Sequence, residues 1–362
     1  MMKARNKINQ FHKTKEDILM ETYRLPTDIL KNKDDLALHI FNQDFLMNPS
    51  LSRYKDKYIQ DTVYTLRFLS TSLEVGEPLI FVNYMEWFGS LAQHLKFNMD
   101  SMERYFRVCE SVFQEIFDHP LSDSTIKTFK KGIEAYRKSF FSTDLAKIDY
   151  DQFLNHLISM HSDLAYQHIL NLVNQGMSLK DIYLNVLQPT LYKVGELWQR
   201  RIITVAKEHY ITAAVQHIIG RLYSILFSNR EHNQKTVTAV CAGDELHEIG
   251  MRMVADFFEL SGWDSIFLGS NIPIEVIINH LIENPTQLFA ISATTSSHLI
   301  EVRDLIKATK TNPKLKDIKI IVGGHVFNET PDLWKSLGAD GFAMDAEQAV
   351  ILGTLLVGEA NA

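Results

Sequence analysis

Residues 236–250 read Thr-Val-Thr-Ala-Val-Cys-Ala-Gly-Asp-Glu-Leu-His-Glu-Ile-Gly, a short apolar run that passes through polar residues into a second apolar pattern. The first run, Val237–Ala242, is compact and stops at a glycine. The second, Ile249–Leu260, repeats apolar residues at the spacing of an amphipathic helix. The stretch therefore predicts a buried strand, a loop and a helix.

The same alternation recurs four more times towards the C-terminus. Each further apolar run is short and is followed by a segment with helical spacing. The four runs are Ser265–Leu268, Leu288–Ala293, Ile318–Val322 and Gly341–Met344. Strands that alternate with helices in this way pair in parallel. We therefore expect residues 233–362 to form a Rossmann-like, doubly wound sheet of five parallel strands.

Helical spacing without a strand pattern characterises the rest of the chain. Met102, Tyr105, Cys109 and Val112 share one helical stripe, for example. Residues 1–145 are therefore predicted to form an all-α domain. Residues 146–232 contain four amphipathic segments with short connections, which predicts a four-helix bundle. Pro189 lies inside the third of these segments and should kink it.

The composition excludes several classes of protein. The 362 residues are 46% hydrophobic and 22% charged, which is ordinary for a globular protein and excludes wholesale disorder. Two cysteines are too few for a disulfide framework, and no apolar run is long enough to span a membrane. A net charge of −7 argues against a broad nucleic-acid surface. We expect a cytoplasmic protein with no membrane contact and no direct nucleic-acid binding.

The loop after the first predicted strand carries residues suited to metal binding. Glu245 stands two residues before His247, and Gly250 follows three residues after it. A carboxylate that accepts one ring N–H of a histidine fixes its tautomer and favours metal ligation by the other nitrogen. Taken alone, the pattern fits a loop histidine that binds nothing better than it fits a metal ligand.

Small residues occupy the ends of the other predicted strands. They are Gly269 after Leu268, Ser292 with Thr294, and the pair Gly323 and Gly324. Ligands of an open α/β sheet bind beyond the carboxyl ends of its strands. As a set, these residues predict a slot in that edge of the sheet, although each of them could also serve only a turn or a helix cap.

The series Glu245-x-His247-x-x-Gly250, Ser292-x-Thr294 and Gly323-Gly324 resembles the cobalamin (vitamin B12)-binding domain in order and spacing. The resemblance implies that His247 is the lower axial ligand of cobalt and that Glu245 orients it. It also implies a pocket for the nucleotide tail of the cofactor, lined by Gly250, Ser292, Thr294, Gly323 and Gly324, with Leu268 and Gly269 among the cofactor-binding residues. Glu245 replaces the usual Asp of the motif, and Thr294 replaces a frequent Leu.

The helical bundle resembles the cap that covers the upper face of the corrin ring in this family. Trp198 ends the third helical segment, and Glu208 with His209 begins the fourth. The side chains of these residues could meet at one end of the bundle, although Trp198 could be a core residue and Glu208 a helix-start acid. The Trp-x9-Glu-His pattern resembles the cap of adenosylcobalamin-dependent photoreceptors related to MerR-type repressors. A winged-helix DNA-binding sequence is not found before the bundle, and Gln199 stands where some photoreceptors have a cobalt-binding histidine.

This resemblance implies a sensory or transcription-regulatory protein rather than an enzyme. Light would break the cobalt–carbon bond of adenosylcobalamin, the bundle would shift, and the N-terminal helices would pass the signal to a protein partner. Cofactor-dependent homo-oligomerisation is implied as well. The alternative is a corrinoid carrier that holds methylcobalamin for a methyltransferase system. A cobalamin mutase would need a large barrel that the all-α region does not supply, and passive storage would leave that region without a role.

Overall fold

A computed structural model describes residues 22–141, 151–226, 232–330 and 332–359. Backbone contacts divide these residues into two compact units. The first unit holds the described residues up to Val82 together with Phe97–Ala135, and the second holds Asn83–Lys96 and the described residues from Tyr136 onwards. The predicted boundary between residues 145 and 146 lies outside the described residues, so the three-domain division remains a prediction.

The N-terminal region is helical, as the spacing of apolar residues predicts. Its described residues form α1 (Pro26–Lys31), α2 (Lys33–Met47), a 3-10 helix (Pro49–Tyr54), α3 (Lys55–Val75), α4 (Pro78–His94), α5 (Met99–Ile116) and α6 (His119–Phe140). Aromatic rings fill the core of the first unit. The ring of Phe129 meets those of Phe106 and Phe113 edge to face, at centroid distances of 6.1 and 5.3 Å. None of the helices in the described part of the chain has both the length and the apolar content of a membrane span.

Four helical segments follow, and their buried apolar residues form one core. The segments are α7 (Gln152–Ile158), α8 (Ser162–Asn174), a third that runs from α9 (Leu179–Ile182) through a π-helical turn (Tyr183–Leu187) into α10 (Gln188–Gln199), and α11 (Val205–Leu226). Leu157, Ile169, Leu187, Leu197 and Ile218 are fully buried in this core. The bundle is thus held by apolar stripes from all four segments.

The kink expected at Pro189 takes the form of the π-helical turn that precedes it. The N–H of Gln188 donates to the carbonyl oxygen of Tyr183, five residues back, and α10 begins at Gln188. Pro189 therefore lies in the first turn of a new helix, where its missing N–H leaves no partner unsatisfied. The segment changes its hydrogen-bonding pattern instead of breaking.

The C-terminal part forms the predicted sheet of five parallel strands, in the order β2-β1-β3-β4-β5. The strands are β1 (Thr236–Cys241), β2 (Asp264–Gly269), β3 (Leu288–Ser292), β4 (Lys319–Gly323) and β5 (Gly341–Ala343). The helices between and after them are α12 (Glu248–Leu260), α13 (Ile274–Glu283), α14 (Leu299–Thr311), α15 (His325–Glu329), α16 (Leu333–Leu337) and α17 (Ala346–Glu359). The chain leaves β1 towards β2 on one side, and β3 lies on the other side. The sheet therefore has its topological switch point between β1 and β3, where ligands of such sheets bind.

Candidate functional site

The loops after β1 and β3 leave the sheet side by side at the switch point. Cys241 and Ser292, the last residues of these strands, are paired in register. Gly243 has a positive φ of 61°, and a Cβ atom on it would lie 3.3 Å from the ring of His298. The loop after β1 can therefore pass close to the loop after β3 because Gly243 has no side chain.

Glu245 and His247 are in direct contact, as predicted for an orienting pair. The backbone N–H of His247 donates to Oε1 of Glu245 over 3.0 Å, and the ring Nδ1 donates to the same oxygen. The side chain of Glu245 is 1% exposed, whereas that of His247 is 63% exposed. The hydrogen bond to Glu245 raises the pKa of His247, although partial burial of the ring acts against it. Because Nδ1 is engaged, Nε2 is the ring nitrogen left to bind a metal.

The second oxygen of Glu245 is held by the loop after β3. It accepts hydrogen bonds from the backbone N–H groups of Thr294 (2.8 Å) and Thr295 (3.4 Å) and from Nδ1 of His298 (3.3 Å). Burial alone would raise the pKa of Glu245, but the hydrogen bonds from His247 and His298 outweigh it and hold that pKa far below its ordinary value. Glu245 is therefore a buried, ionised and fully bonded carboxylate.

Sequence reasoning missed two residues of this cluster, Asp244 and His298. Nε2 of His298 donates to Oδ1 of Asp244 over 2.9 Å, and the His298 ring is buried. Burial lowers the pKa of His298, but its bonds to Glu245 and Asp244 outweigh that effect and raise it. In a doubly wound sheet β1 and β3 can be neighbours, and the loops that follow them then meet. That adjacency could have pointed to Asp244 after β1 and His298 after β3.

The predicted glycines divide into two groups. A Cβ atom on Gly250, in the first turn of α12, would meet nothing within 4 Å, so packing within the chain does not account for this helical glycine. By contrast, a Cβ atom on Gly324 (φ 102°) would lie 2.2 Å from the carbonyl oxygen of Ala293, and one on Gly323 would lie 3.1 Å from that of Ala343. The backbone itself requires Gly324. The role of both residues in lining a tail pocket remains a prediction.

The remaining predicted residues of the sheet edge are brought to the ends of β2 and β3. Ser292 is buried at the end of β3. Thr294 contributes its backbone N–H to Glu245. Leu268 and Gly269 end β2 half-buried, and Gly269 has a φ of 85°. These residues line the edge on which His247 also lies.

Among the predicted cap residues, Glu208 affects the pKa of His247. Beyond the dominant hydrogen bond to Glu245, the negative charge of Glu208 also raises the pKa of His247. Glu208 accepts hydrogen bonds from Thr212 Oγ1 (2.8 Å) and contacts His209 Nδ1 (2.7 Å). His209 is otherwise exposed, and Trp198 is half-buried against the bundle core. Trp198 therefore packs against the bundle core, and its role as a cap over the corrin remains a prediction.

The residues at this edge fit a bulky cofactor that brings its own metal. No cluster of three or more His, Cys, Asp or Glu able to hold a metal ion occurs within the described ranges. The exposed imidazole of His247 offers one ligand, which suits a metal already enclosed by an organic ring. Leu246 is 87% exposed beside His247, an unusual position for a large apolar side chain in water. Together with the bare surface at Gly250, Leu246 belongs to the surface that a corrin ring would cover.

Comparison with protein families agrees with this geometry. One model of the B12-binding domain matches residues 235–351, and a second B12-binding domain model matches residues 150–223. Residues 150–223 and 235–351 belong to the B12-binding domain family. The family and the Rossmann-like fold predicted from the sequence are thereby confirmed.

Several corrinoid proteins are similar to about half of the chain. A corrinoid protein of Desulfitobacterium hafniense is 26% identical over 171 residues, which is 47% of this chain and 76% of that protein. The dimethylamine corrinoid protein 1 of Methanosarcina mazei is 28% identical over 193 residues, covering 51% and 86% of the two chains. The solved monomethylamine corrinoid protein of Methanosarcina barkeri superposes with a TM-score of 0.51 at 18% identity, over 57% of this chain and 97% of that one. This last similarity concerns the fold alone.

Proposed function

We propose that this chain is a corrinoid carrier, a protein that holds methylcobalamin for a methyltransferase. The observation that carries the corrinoid site is the exposed imidazole of His247, bonded through Nδ1 to the buried carboxylate of Glu245 at the switch point of a B12-binding domain. Relatives named as mono- and dimethylamine corrinoid proteins favour a carrier over a photoreceptor. The photoreceptor predicted from the sequence therefore becomes the second candidate.

Each residue of the site has a definite part in this proposal. When bound, the cobalt of the corrin supplies a centre that accepts and releases a methyl group. His247 would hold that cobalt through Nε2, and Glu245 would fix the tautomer and orientation of the ring through Nδ1. Gly250 leaves the start of α12 bare for the corrin, and the hydroxyl of Ser292 is available to a polar group of the tail. Catalysis of methyl transfer would belong to the partner protein, so the carrier itself is not an enzyme.

The N-terminal helical region needs a proposal of its own. The curated relatives described above cover about half of this chain, so the function of the N-terminal helical region rests on the sequence. We propose that it contacts the protein partner. Homo-oligomerisation, a cytoplasmic location and the lack of direct nucleic-acid binding remain predictions from the sequence.

The second candidate, an adenosylcobalamin photoreceptor, is favoured by one observation in the bundle. Glu208 is held by Thr212 and His209 on the side from which its charge reaches His247, and Trp198 ends the preceding helix. An acid and an indole at this end of the bundle would suit a large polar upper ligand. The same residues would also cover a methyl group, so the photoreceptor ranks second to the carrier that the named relatives favour.

The two functions predict different results for cofactor retention and for the effect of light on the size of the protein. The full chain is loaded in the dark with methylcobalamin or adenosylcobalamin, and Kd, absorption spectrum and size-exclusion volume are measured before and after green light. For the carrier we expect similar retention of both forms and an unchanged size after illumination. Selective retention of adenosylcobalamin, with a light-dependent change of size, would establish the photoreceptor instead. Uptake of neither form would contradict both.

A further inference from the structure

The first compact unit contains a groove that the proposed corrinoid function does not use. The groove lies between the first turn of α2 and one side of α3, and its volume is about 430 Å³. Small-molecule sites in proteins have volumes of about 300–1,000 Å³. The residues of the groove precede residues 150–223 and 235–351, the parts of the chain that match the B12-binding domain models.

The apolar residues of α3 extend beyond the side of the helix that is buried. Leu66 and Leu69 are buried in the first unit. Ile59 and Val63, one turn apart, are half-buried and line the groove, and Tyr64 beside them is 47% exposed. A helix on the surface of a globular protein usually has polar residues outside its core stripe. The groove therefore has an apolar floor that is open to a ligand.

The packing of the helices determines which end of the groove is formed by the start of α2. The hydroxyl of Tyr58, in the first turn of α3, donates to Asp44 near the end of α2 over 3.0 Å. The hydroxyl of Ser70, three turns later in α3, donates to the carbonyl oxygen of Pro26 at the start of α1 over 2.7 Å. The chain therefore runs along α3 in the opposite direction, and the start of α2 lies beside the later turns of α3.

Two cations share this end of the groove. Arg67 follows Val63 by one turn of α3 and is half-buried, and Lys33 begins α2. The ammonium of Lys33 lies 3.3 Å from the carboxylate of Asp34, and the two side chains are 25% and 75% exposed. Asp56 lines the other end, about three turns before Arg67. A guanidinium group binds a carboxylate or a phosphate through paired hydrogen bonds, so the end with Arg67 is suited to an anionic group.

We propose that this groove binds a small amphiphilic anion, a carboxylate or a phosphate ester with an apolar chain or ring. Arg67 and Lys33 would hold the anionic group, and the apolar part would lie over Ile59 and Val63 beside the ring of Tyr64. A neutral ligand would gain little from the two cations, and a cationic ligand would be repelled by them. Such a site goes beyond the proposed corrinoid function and would act independently of it.

Four probes with the same alkyl chain test the class of ligand. Octanoate and octyl phosphate carry the two candidate anionic groups, and octanol and octylamine are the neutral and cationic controls. Each probe is titrated into the cofactor-free full chain by isothermal titration calorimetry. We expect saturable binding of at least one anion, with a Kd at least about tenfold lower than the Kd values of octanol and octylamine. The tighter of the two anions distinguishes a carboxylate from a phosphate ester.

Three substitutions test the location of the site. Arg67→Gln should raise the Kd of the preferred anion by about tenfold or more, because it removes a charged hydrogen-bond donor. Val63→Asn should also raise it, because it makes the apolar floor polar. The matched control is Arg53→Gln, which removes an exposed cation of the 3-10 helix Pro49–Tyr54 outside the groove and should leave Kd within about twofold of the wild type. Thermal unfolding of each variant verifies that the fold is retained.

Several results would overturn the proposal. Octanol that binds as tightly as the anions would contradict the anionic class of ligand, and the lack of binding by all four probes would contradict the site. Anion binding that is unchanged in both Arg67→Gln and Val63→Asn would place the anion elsewhere on the chain. A wild type that self-associates, with Val63→Asn monomeric in size-exclusion chromatography, would mean that a second copy covers the groove. Uptake of hydroxocobalamin by the same preparation is measured separately, and its failure would contradict the corrinoid function alone.

Discussion

Tyr183 of the bundle donates a hydrogen bond to Asp256 of α12 over 3.0 Å, and both side chains are buried. A second hydrogen bond joins the bundle to α12: the hydroxyl of Tyr223 on α11 donates to Glu259 over 2.7 Å. His247 is the N-cap residue of α12, so the helix that carries these bonds begins at the candidate cobalt ligand. The bundle is therefore held in place by the later turns of the helix whose first turn faces the cofactor site.

The carboxyl group of Asp256 should make stability depend on pH. Burial raises its pKa to about 6, against the opposing effects of Arg252 and Tyr183. A carboxyl group with a raised folded-state pKa stabilises the fold at low pH, and this contribution is lost as the pH rises through 6. Relative to Asp256→Asn, the wild type should therefore lose about 1.4 kcal/mol of unfolding free energy between pH 5 and pH 8.

Urea unfolding of both proteins at the two pH values tests this expectation. The control is Asp317→Asn, which makes the same substitution at an exposed position. If Asp256→Asn follows the wild type at both pH values, the buried carboxyl group does not titrate in this range.

His247→Ala should remove histidine coordination of a bound corrinoid. We expect a Kd for hydroxocobalamin at least about tenfold higher than that of the wild type and a spectrum without a histidine ligand. The matched control is His232→Ala, since His232 also pairs with a carboxylate, Asp264 (2.9 Å), but lies before β1, at the opposite edge of the sheet. An unchanged spectrum in His247→Ala would show that another group holds the cobalt.

Gly250→Ala should stabilise the cofactor-free chain and weaken corrinoid binding. A Cβ atom at this position meets no other atom within 4 Å, and alanine is preferred over glycine in a helix by about 0.5–1 kcal/mol. The corrin would have to lie against the added methyl group, so Kd should rise. Gly220→Ala is the control, because that exposed helical glycine of α11 is equally unobstructed and lies outside the predicted site. Equal binding by the two variants would separate Gly250 from the cofactor.

Gly324→Ala should have the opposite effect on the cofactor-free chain. The positive φ of 102° and the carbonyl oxygen of Ala293 at 2.2 Å from the added Cβ leave no space without a backbone shift. We expect a loss of about 2 kcal/mol or more in unfolding free energy, measured by urea unfolding. A variant as stable as the wild type would mean that the loop between β4 and α15 adapts, and that Gly324 is present for a ligand.

The difference between Gly250 and Gly324 illustrates what the sequence could and could not predict. Alternating apolar runs and helical spacing were enough for the parallel sheet and the bundle, because these patterns reflect local burial. The motif from Glu245 to Gly250 is local as well, and it predicted the contact between Glu245 and His247. The contact between Gly324 and Ala293 depends on two strand ends lying side by side, which one sequence does not display.

His298 was missed for the same physical reason. It follows β3 in the chain but acts on residues that follow β1, and the pairing of these strands brings together loops more than 50 residues apart. The π-helical turn before Pro189 was also not predicted, since a proline inside a helix predicts a kink but not how the preceding turn accommodates it.

Trp198→Ala should distinguish the carrier from the photoreceptor. Trp198 is half-buried on the bundle core at the end of α10, in the part of the chain that resembles a cap over the corrin. For a carrier, the indole covers the corrin whatever the upper ligand, so its loss should weaken methylcobalamin, hydroxocobalamin and adenosylcobalamin by similar factors. For a photoreceptor, the indole would pack on the adenosyl group, and adenosylcobalamin alone should lose affinity. We expect the three affinities to fall by similar factors, within about threefold of one another. Trp334→Ala is the control, because its half-buried indole lies on α16; this variant should bind all three cobalamins as the wild type does. A selective loss of adenosylcobalamin in Trp198→Ala would instead mean that the bundle recognises the upper ligand itself, which a carrier that exchanges methyl groups does not require.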